Sequence, residues 1–235
     1  MVVSSRGGGI INVLPITQDN AVGRPVSIFK ATGDTKGRDA HLAGVSFDAS
    51  GRILCADRGT GCVGVLTASD DGLLTYSRTM TSSDDSPAEI AFHEQTNSLF
   101  VSHRNSLEHY AYDHRTGQIG GLRQRFAGAG MGESAGALTI HPSGLLYACD
   151  GRSGITAWRI RDNGALSFAG NYAKELGAVS AINIARDGRA MVAMSRTSGL
   201  IARAAVDVQT GLFGATEVVA RVASPRSLAV TFRQA

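Results

Sequence analysis

The sequence predicts an all-β chain folded as a β-propeller of four-stranded antiparallel blades, about five of them in its 235 residues. Three observations predict it. A unit of about 40–45 residues recurs along the chain, and each copy reads as four short strands. Most of the 29 glycines fall at the breaks between those strands, where positive φ angles are needed. One such sheet cannot bury its own faces, whereas sheets stacked radially cover one another.

The clearest copy is HLAGVSFDASGRILCADRGTGCVGVLTASDDGLLTY, residues 41–76. An alternating run Gly44–Phe47 leads into a turn at Asp48–Gly51, a β-rich run Ile53–Ala56 and a second turn at Gly59–Gly61. The run Cys62–Leu66, an Asp-Asp-Gly turn and a short fourth run complete the unit. The pattern returns in AEIAFHEQTNSLFVSHRNSLEHYAYDHRTGQI, GALTIHPSGLLYACDGRSGITAWRIRDNGALSF and SAINIARDGRAMVAMSRTSGLIARAAVDVQTGLF. The equivalent positions Phe47, Phe92, Ile140 and Ile184 lie 45, 48 and 44 residues apart. Complete units are expected over 41–82, 86–127, 134–175 and 178–222.

Residues 1–31 read as the second, third and fourth strands of a further blade, MVVSSR aligning with LFVSHR and MVAMSR. Its first strand is expected at the other end of the chain, in SPRSLAVTF, residues 224–232, which resembles SPAEIAF at 86–92. Pairing the two ends would close the ring and remove exposed strand edges. The whole chain, 1–235, is thus expected to form a single domain. Between the first two units, TGDTKGRDA (32–40) reads as a long polar surface loop or a basic lip over a pocket.

Composition narrows the function. A net charge of +3 without Lys/Arg-rich runs or interleaved aromatics argues against nucleic acid. Neither a 20-residue apolar run nor a signal-peptide pattern is present, so no membrane is expected and the cytoplasm is the expected location. Cys55, Cys62 and Cys149 have neither metal-ligand nor disulfide-framework spacing and read as small buried strand residues in a reducing compartment. No glycine loop matches a phosphate-binding loop and no metal-ligand cluster is visible, so no cofactor or metal is expected. GESAG, 132–136, matches a nucleophile-elbow pattern, but a strand rather than a helix should follow it, so Ser134 reads as a turn residue.

In a propeller, the start of each blade's first strand and the end of its second share one face. The second strands end at Arg6, Arg58, Arg104, Gly151 with Arg152 next, and Arg196, while the first strands begin at His41, Glu89, Ser134, Ser180 and Arg226. These positions predict a cationic funnel holding one imidazole and one carboxylate, suited to a small anionic ligand. The alternative is that each arginine pairs with a local acid such as Asp57 or Asp150 and stitches blades together. His41 is the candidate general base, with an arginine stabilising charge developing on oxygen. Of the other histidines, only His103, beside Arg104, is expected near the funnel.

The runs GGIINVLPI, VGRPVSIFKATG, AHLAGVSFDASGRILCADRGTGCVGVL, SPAEIAFH and IHPSGLLYACDGRSGITAWRI, with the late SPRSLAVTF, resemble the lactonase family of β-propellers. That family includes bacterial 6-phosphogluconolactonase and the fungal carboxymuconate-cyclising enzyme, and its members usually have seven blades. The resemblance implies a lactonase acting on a small anionic lactone, with site residues that are a histidine, an arginine, a glutamate and a second arginine. His41 matches the first. The others fall on Ala88, Arg104 and Gly151, with Arg152 one residue out of register, so three of the four roles are altered. The resemblance therefore implies either an enzyme using His41, Arg104 and Arg152, with Arg6, Arg58, Glu89, Arg196 and Arg226 binding ligand, or an inactive relative that binds an anion or a protein.

Overall fold

The computed structural model describes residues 1–225 and 228, apart from 6, 20, 82–85, 128–136 and 151–153. Nineteen strands form five antiparallel sheets, and the one helical element described is a single 3-10 turn, Lys174–Leu176. The first sheet has three described strands, β1 (Val2–Ser5), β2 (Ile10–Val13) and β3 (Ser27–Lys30). Each of the others has four, in sequence order. They are β4 (Leu42–Phe47), β5 (Ile53–Asp57), β6 (Cys62–Ala68) and β7 (Leu74–Thr81); β8 (Pro87–His93), β9 (Ser98–His103), β10 (Ser106–Asp113) and β11 (Gln118–Ala127). Then come β12 (Leu138–His141), β13 (Leu145–Asp150), β14 (Gly154–Ile160) and β15 (Leu166–Tyr172); and β16 (Val179–Ile184), β17 (Ala190–Ser195), β18 (Leu200–Ala205) and β19 (Glu217–Arg221). These are the blade sheets that the repeat predicts. The strand expected to complete the first sheet, and Ser134 with its GESAG segment, lie outside the described residues except for Ser224, Pro225 and Leu228.

The chain divides into two compact units, Met1–His103 with Tyr110–Arg123, and Arg104–His109 with Gln124–Ala235. In the first unit, Ile11 and Phe29 pack against Leu42, Ile53 and Leu66, and Phe29 meets Tyr76 edge-on at 4.8 Å. A second cluster joins Leu54, Val63 and Val65 to Ile90, Leu99, Val101 and Tyr112. In the second unit, Tyr147 and Ile155 pack on Ile182, Met191, Ala193 and Phe213. Every residue of β5 and β9 is buried, whereas β19 is exposed throughout, so within a sheet burial falls toward the outermost strand. The apolar runs of the second strands reflect this two-sided burial.

The first sheet departs from that pattern. Val2, Ile11 and Phe29 face the core, but the other face carries Val3, Asn12 and Ile28 aligned across the three strands, and Ile28 is 65% exposed. Phe47, one of the four equivalent positions of the repeat, is 53% exposed at the end of β4. Among the described residues no helix is long and apolar enough to cross a membrane.

Polar side chains at the turns join neighbouring sheets. In the first unit, the Tyr112 hydroxyl donates to Asp48 Oδ2 at 2.8 Å, and Arg52 reaches the carbonyls of His114 and Arg115. In the second, Arg159 donates to the carbonyls of Ser143 and Thr210, Tyr147 donates to Gly211 O, and His141 Nε2 lies 2.8 Å from Gly188 O. That last carbonyl can only accept, and His141 Nδ1 accepts from the Ser143 amide, so the ring is held as the Nε2–H tautomer. The apolar stacks thus have hydrogen-bonded rims.

Removing one donor from a buried acceptor costs more than the bond itself contributes. Tyr112→Phe takes the hydroxyl from the buried Asp48 carboxylate and leaves its Ser50, Arg52 and backbone donors in place. Thermal unfolding is expected to report a loss of about 1–2 kcal/mol, a fall of several degrees in Tm for a chain of this size.

Candidate functional site

The candidate site begins at Asp57, the last residue of β5, which is only 4% exposed. Its Oδ1 accepts from the amides of His41 (2.8 Å), Gly59 (3.0 Å) and Thr60 (3.2 Å), and its Oδ2 from the Thr60 hydroxyl (2.7 Å). The Arg58 amide donates back to His41 O at 3.0 Å. One carboxylate therefore ties the start of the first strand to the end of the second and to the turn beyond. Residue 59 is glycine because a β-carbon there would overlap the Asp39 carbonyl and come within 2.7 Å of His41 Cδ2. His41 is consequently fixed through its main chain, while its imidazole is exposed.

With the Asp57 carboxylate holding four donors, Arg58 turns to the next sheet. Its Nε donates to Ser86 Oγ at 3.0 Å, immediately before β8, and its side chain is half-buried. A guanidinium spanning the start of β8 is a fixed positive charge at the position where the repeat expects one.

Glu89 lies three residues beyond Ser86 on β8. The β8–β9 register shifts between Pro87 and Glu89, and the Glu89 amide donates to the buried Ser102 hydroxyl at 3.1 Å. The same irregularity recurs between Leu42 and Val45 on β4 and between Val179 and Ala181 on β16. Bulges at strand ends re-aim side chains. Glu89 is aimed at Gly44, where a β-carbon would sit 2.7 Å from Glu89 Oε2 and from Ala88 O. Burial alone pushes the Glu89 carboxyl up to about 7, although part of the residue remains accessible.

The other expected site residues are distributed as follows. Arg104 is exposed and directly follows β9, in the second unit; Arg196 is exposed and directly follows β17. His103, the last residue of β9, is fully buried and pairs across the ladder with Pro87. Arg6, Gly151, Arg152 and Arg226 lie outside the described residues. Within the first unit the structure brings His41, Asp57, Arg58, Ser86 and Glu89 to the β4 and β8 starts. Sequence reasoning missed Ser86, Ser102 and Gly44. Only Gly44 left a signal, being a glycine inside a strand pattern, which marks a bulge or a close approach.

The raised Glu89 carboxyl has a consequence for stability. Between the ordinary value of 4.5 and about 7, the folded chain holds a proton that the unfolded chain has released, so stability falls as pH rises through that window and levels off above it. Glu89→Gln removes this titration. Its unfolding free energy is expected to exceed the parent's by about 1–2 kcal/mol at pH 8 and to converge on it near pH 4, as read by denaturant titration at both pH values.

The sequence matches the family model described as lactonase, 7-bladed beta-propeller, over residues 1–232. No curated protein is detectably similar to the chain. Among solved structures, a Lactobacillus plantarum protein superposes with a TM-score of 0.81 at 16% identity, covering 95% of this chain and 68% of its own. A Bacteroides fragilis protein provisionally named 6-phosphogluconolactonase gives a TM-score of 0.67 at 20% identity, covering 92% of this chain and 66% of that one. The periplasmic gluconolactonase of Pseudomonas aeruginosa gives 0.70 at 19% identity, covering 93% and 65%. The chain spans about two thirds of the length of these structures, and the five sheets of its described residues compare with seven blades in the family description. The repeat, the sheets and the family match agree, and the chain belongs to the lactonase family of β-propellers.

Proposed function

We propose that the protein is a lactone hydrolase acting on a small anionic lactone, of the sugar-acid kind exemplified by 6-phosphogluconolactone. The observation that carries this reading is a fixed cation beside a held histidine in a lactonase-family chain: Arg58 bonded to Ser86, and His41 locked by Asp57. His41 takes a proton from water, the resulting hydroxide adds to the ring carbonyl, and Arg58 holds the anionic group or the developing oxyanion. Arg104, Arg152, Arg6, Arg196 and Arg226 are further candidates for binding the anion. The substrate class places the reaction in carbohydrate metabolism. The free thiols of Cys55 and Cys62 favour the cytoplasm, and burial pushes the Cys55 thiol up to about 12, which makes it unreactive.

A second reading, a non-catalytic relative that binds an anion or a protein, is favoured by Ala88, only 4% exposed where the resemblance expects an arginine, and by Arg104 where it expects a glutamate.

Acid release from 6-phosphogluconolactone and from an uncharged lactone separates the two. His41→Ala is expected to lower kcat about 10²–10⁴-fold while keeping the main-chain bonds of residue 41 to Asp57 and Arg58. Arg58→Ala is expected to raise KM for the phosphorylated lactone more than for the uncharged one. Equal rates for the parent and His41→Ala would sink the hydrolase reading; citrate binding by an inactive parent, lost in Arg58→Ala, would establish the second.

A further inference from the structure

Among the described residues of the first unit, Glu89 is a largely buried carboxyl whose place in the fold no side-chain hydrogen bond explains. Asp57 and Asp48 are each saturated by amides, hydroxyls or a guanidinium, and these bonds hold turns and sheets in place. At Glu89 the bonding goes to the main chain instead. Its amide is held by Ser102, the bulge turns the side chain, and its Oε2 occupies the space that Gly44 leaves by having no β-carbon. Local structure is thus arranged around a carboxyl whose environment disfavours its charge. The carboxyl lies on the first strand next to the one that His41 begins, and three residues from the serine that receives Arg58.

We propose that Glu89 is the general acid of this site, delivering a proton to the ring oxygen as the lactone opens, and that Gly44 and Ser102 are its positioning residues. The proposal rests on the lactone-hydrolase reading. His41 accepts a proton from water and the hydroxide forms the new bond to the carbonyl carbon. The carbon–ring oxygen bond then breaks, and the Glu89 proton passes to the departing alkoxide. Water has been added to give the hydroxy acid. The site is reset when the proton on His41 returns through solvent to the Glu89 carboxylate, so no oxidant, metal or co-reactant is consumed. A carboxyl that is part protonated near neutral pH suits this role, since the alkoxide of a sugar lactone is a poor leaving group and protonation lowers its barrier.

The test uses the full chain and two lactones that differ in leaving group: δ-gluconolactone, which expels an aliphatic alkoxide, and dihydrocoumarin, which expels a phenoxide and needs no acid. Glu89→Gln is expected to cut kcat on gluconolactone about 10²–10³-fold while changing dihydrocoumarin turnover less than about threefold. It should also abolish the decline of gluconolactone kcat above pH 7. The titratable and charged groups around Glu89 are Cys55 and Asp57 on β5, His103 on β9, His93 on β8 itself, and His41 and Arg58 at the strand ends; all remain in the variant, so loss of that limb belongs to Glu89. Glu89→Asp, which keeps the acid on a shorter arm, should recover part of the rate. Gly44→Ala, crowding Glu89 Oε2, should reproduce the leaving-group selectivity of Glu89→Gln. Equal losses on both lactones, or none on either, overturn the assignment while leaving the hydrolase reading intact. A parent chain that opens neither lactone overturns both.

Discussion

A strand such as β5, Ile53–Asp57, has no residue left at the surface, and the sheet that carries it therefore needs a neighbour against each face. The same holds for β9, and nearly so for the described part of β13. Two-sided burial dictates the composition of these strands, which read as unbroken apolar runs with small residues where sheets approach. It also dictates the chemistry at their ends. Where a chain leaves such a layer, its polar groups emerge at the margin of the apolar stack and each needs a partner before it reaches water. The Asp57 clamp, the Asp48–Tyr112 bond and the carbonyl-binding arginines all answer that requirement.

Glu89 stands out against this background because the same margin is used differently. The two aspartates each accept from several converging donors, the usual way a folded chain accommodates a buried carboxyl group. Glu89 instead meets the backbone of a neighbouring strand across a glycine, and desolvation favours its neutral form. Carboxyl groups on β5 and β8 thus meet different surroundings. The difference comes from what surrounds each group and not from residue type.

The architecture was legible because it is repeated. Four copies of one pattern average out the noise in any single run, and the spacing of Phe47, Phe92, Ile140 and Ile184 carries the period even though Phe47 itself proves exposed. The partial first unit was legible for the same reason, MVVSSR being a recognisable second strand. The site was legible only as a set of faces. That arginines end the second strands follows from alignment, but that Arg58 bonds Ser86 follows from how far one sheet lies from the next, which no periodicity encodes. Glu89 was visible as a charge near a strand start. Its desolvation depends on a register shift and on Gly44 in a different strand, both through-space facts.

The clamp on His41 grips amides and a carbonyl and leaves the imidazole out of the bargain. Any residue with an amide hydrogen satisfies Asp57 equally well at that position. Natural selection can therefore exchange the reactive group without disturbing the frame that presents it, and the frame survives after the chemistry has drifted. A lineage built this way accumulates catalytic variety, and catalytic ruin, at the same low structural risk.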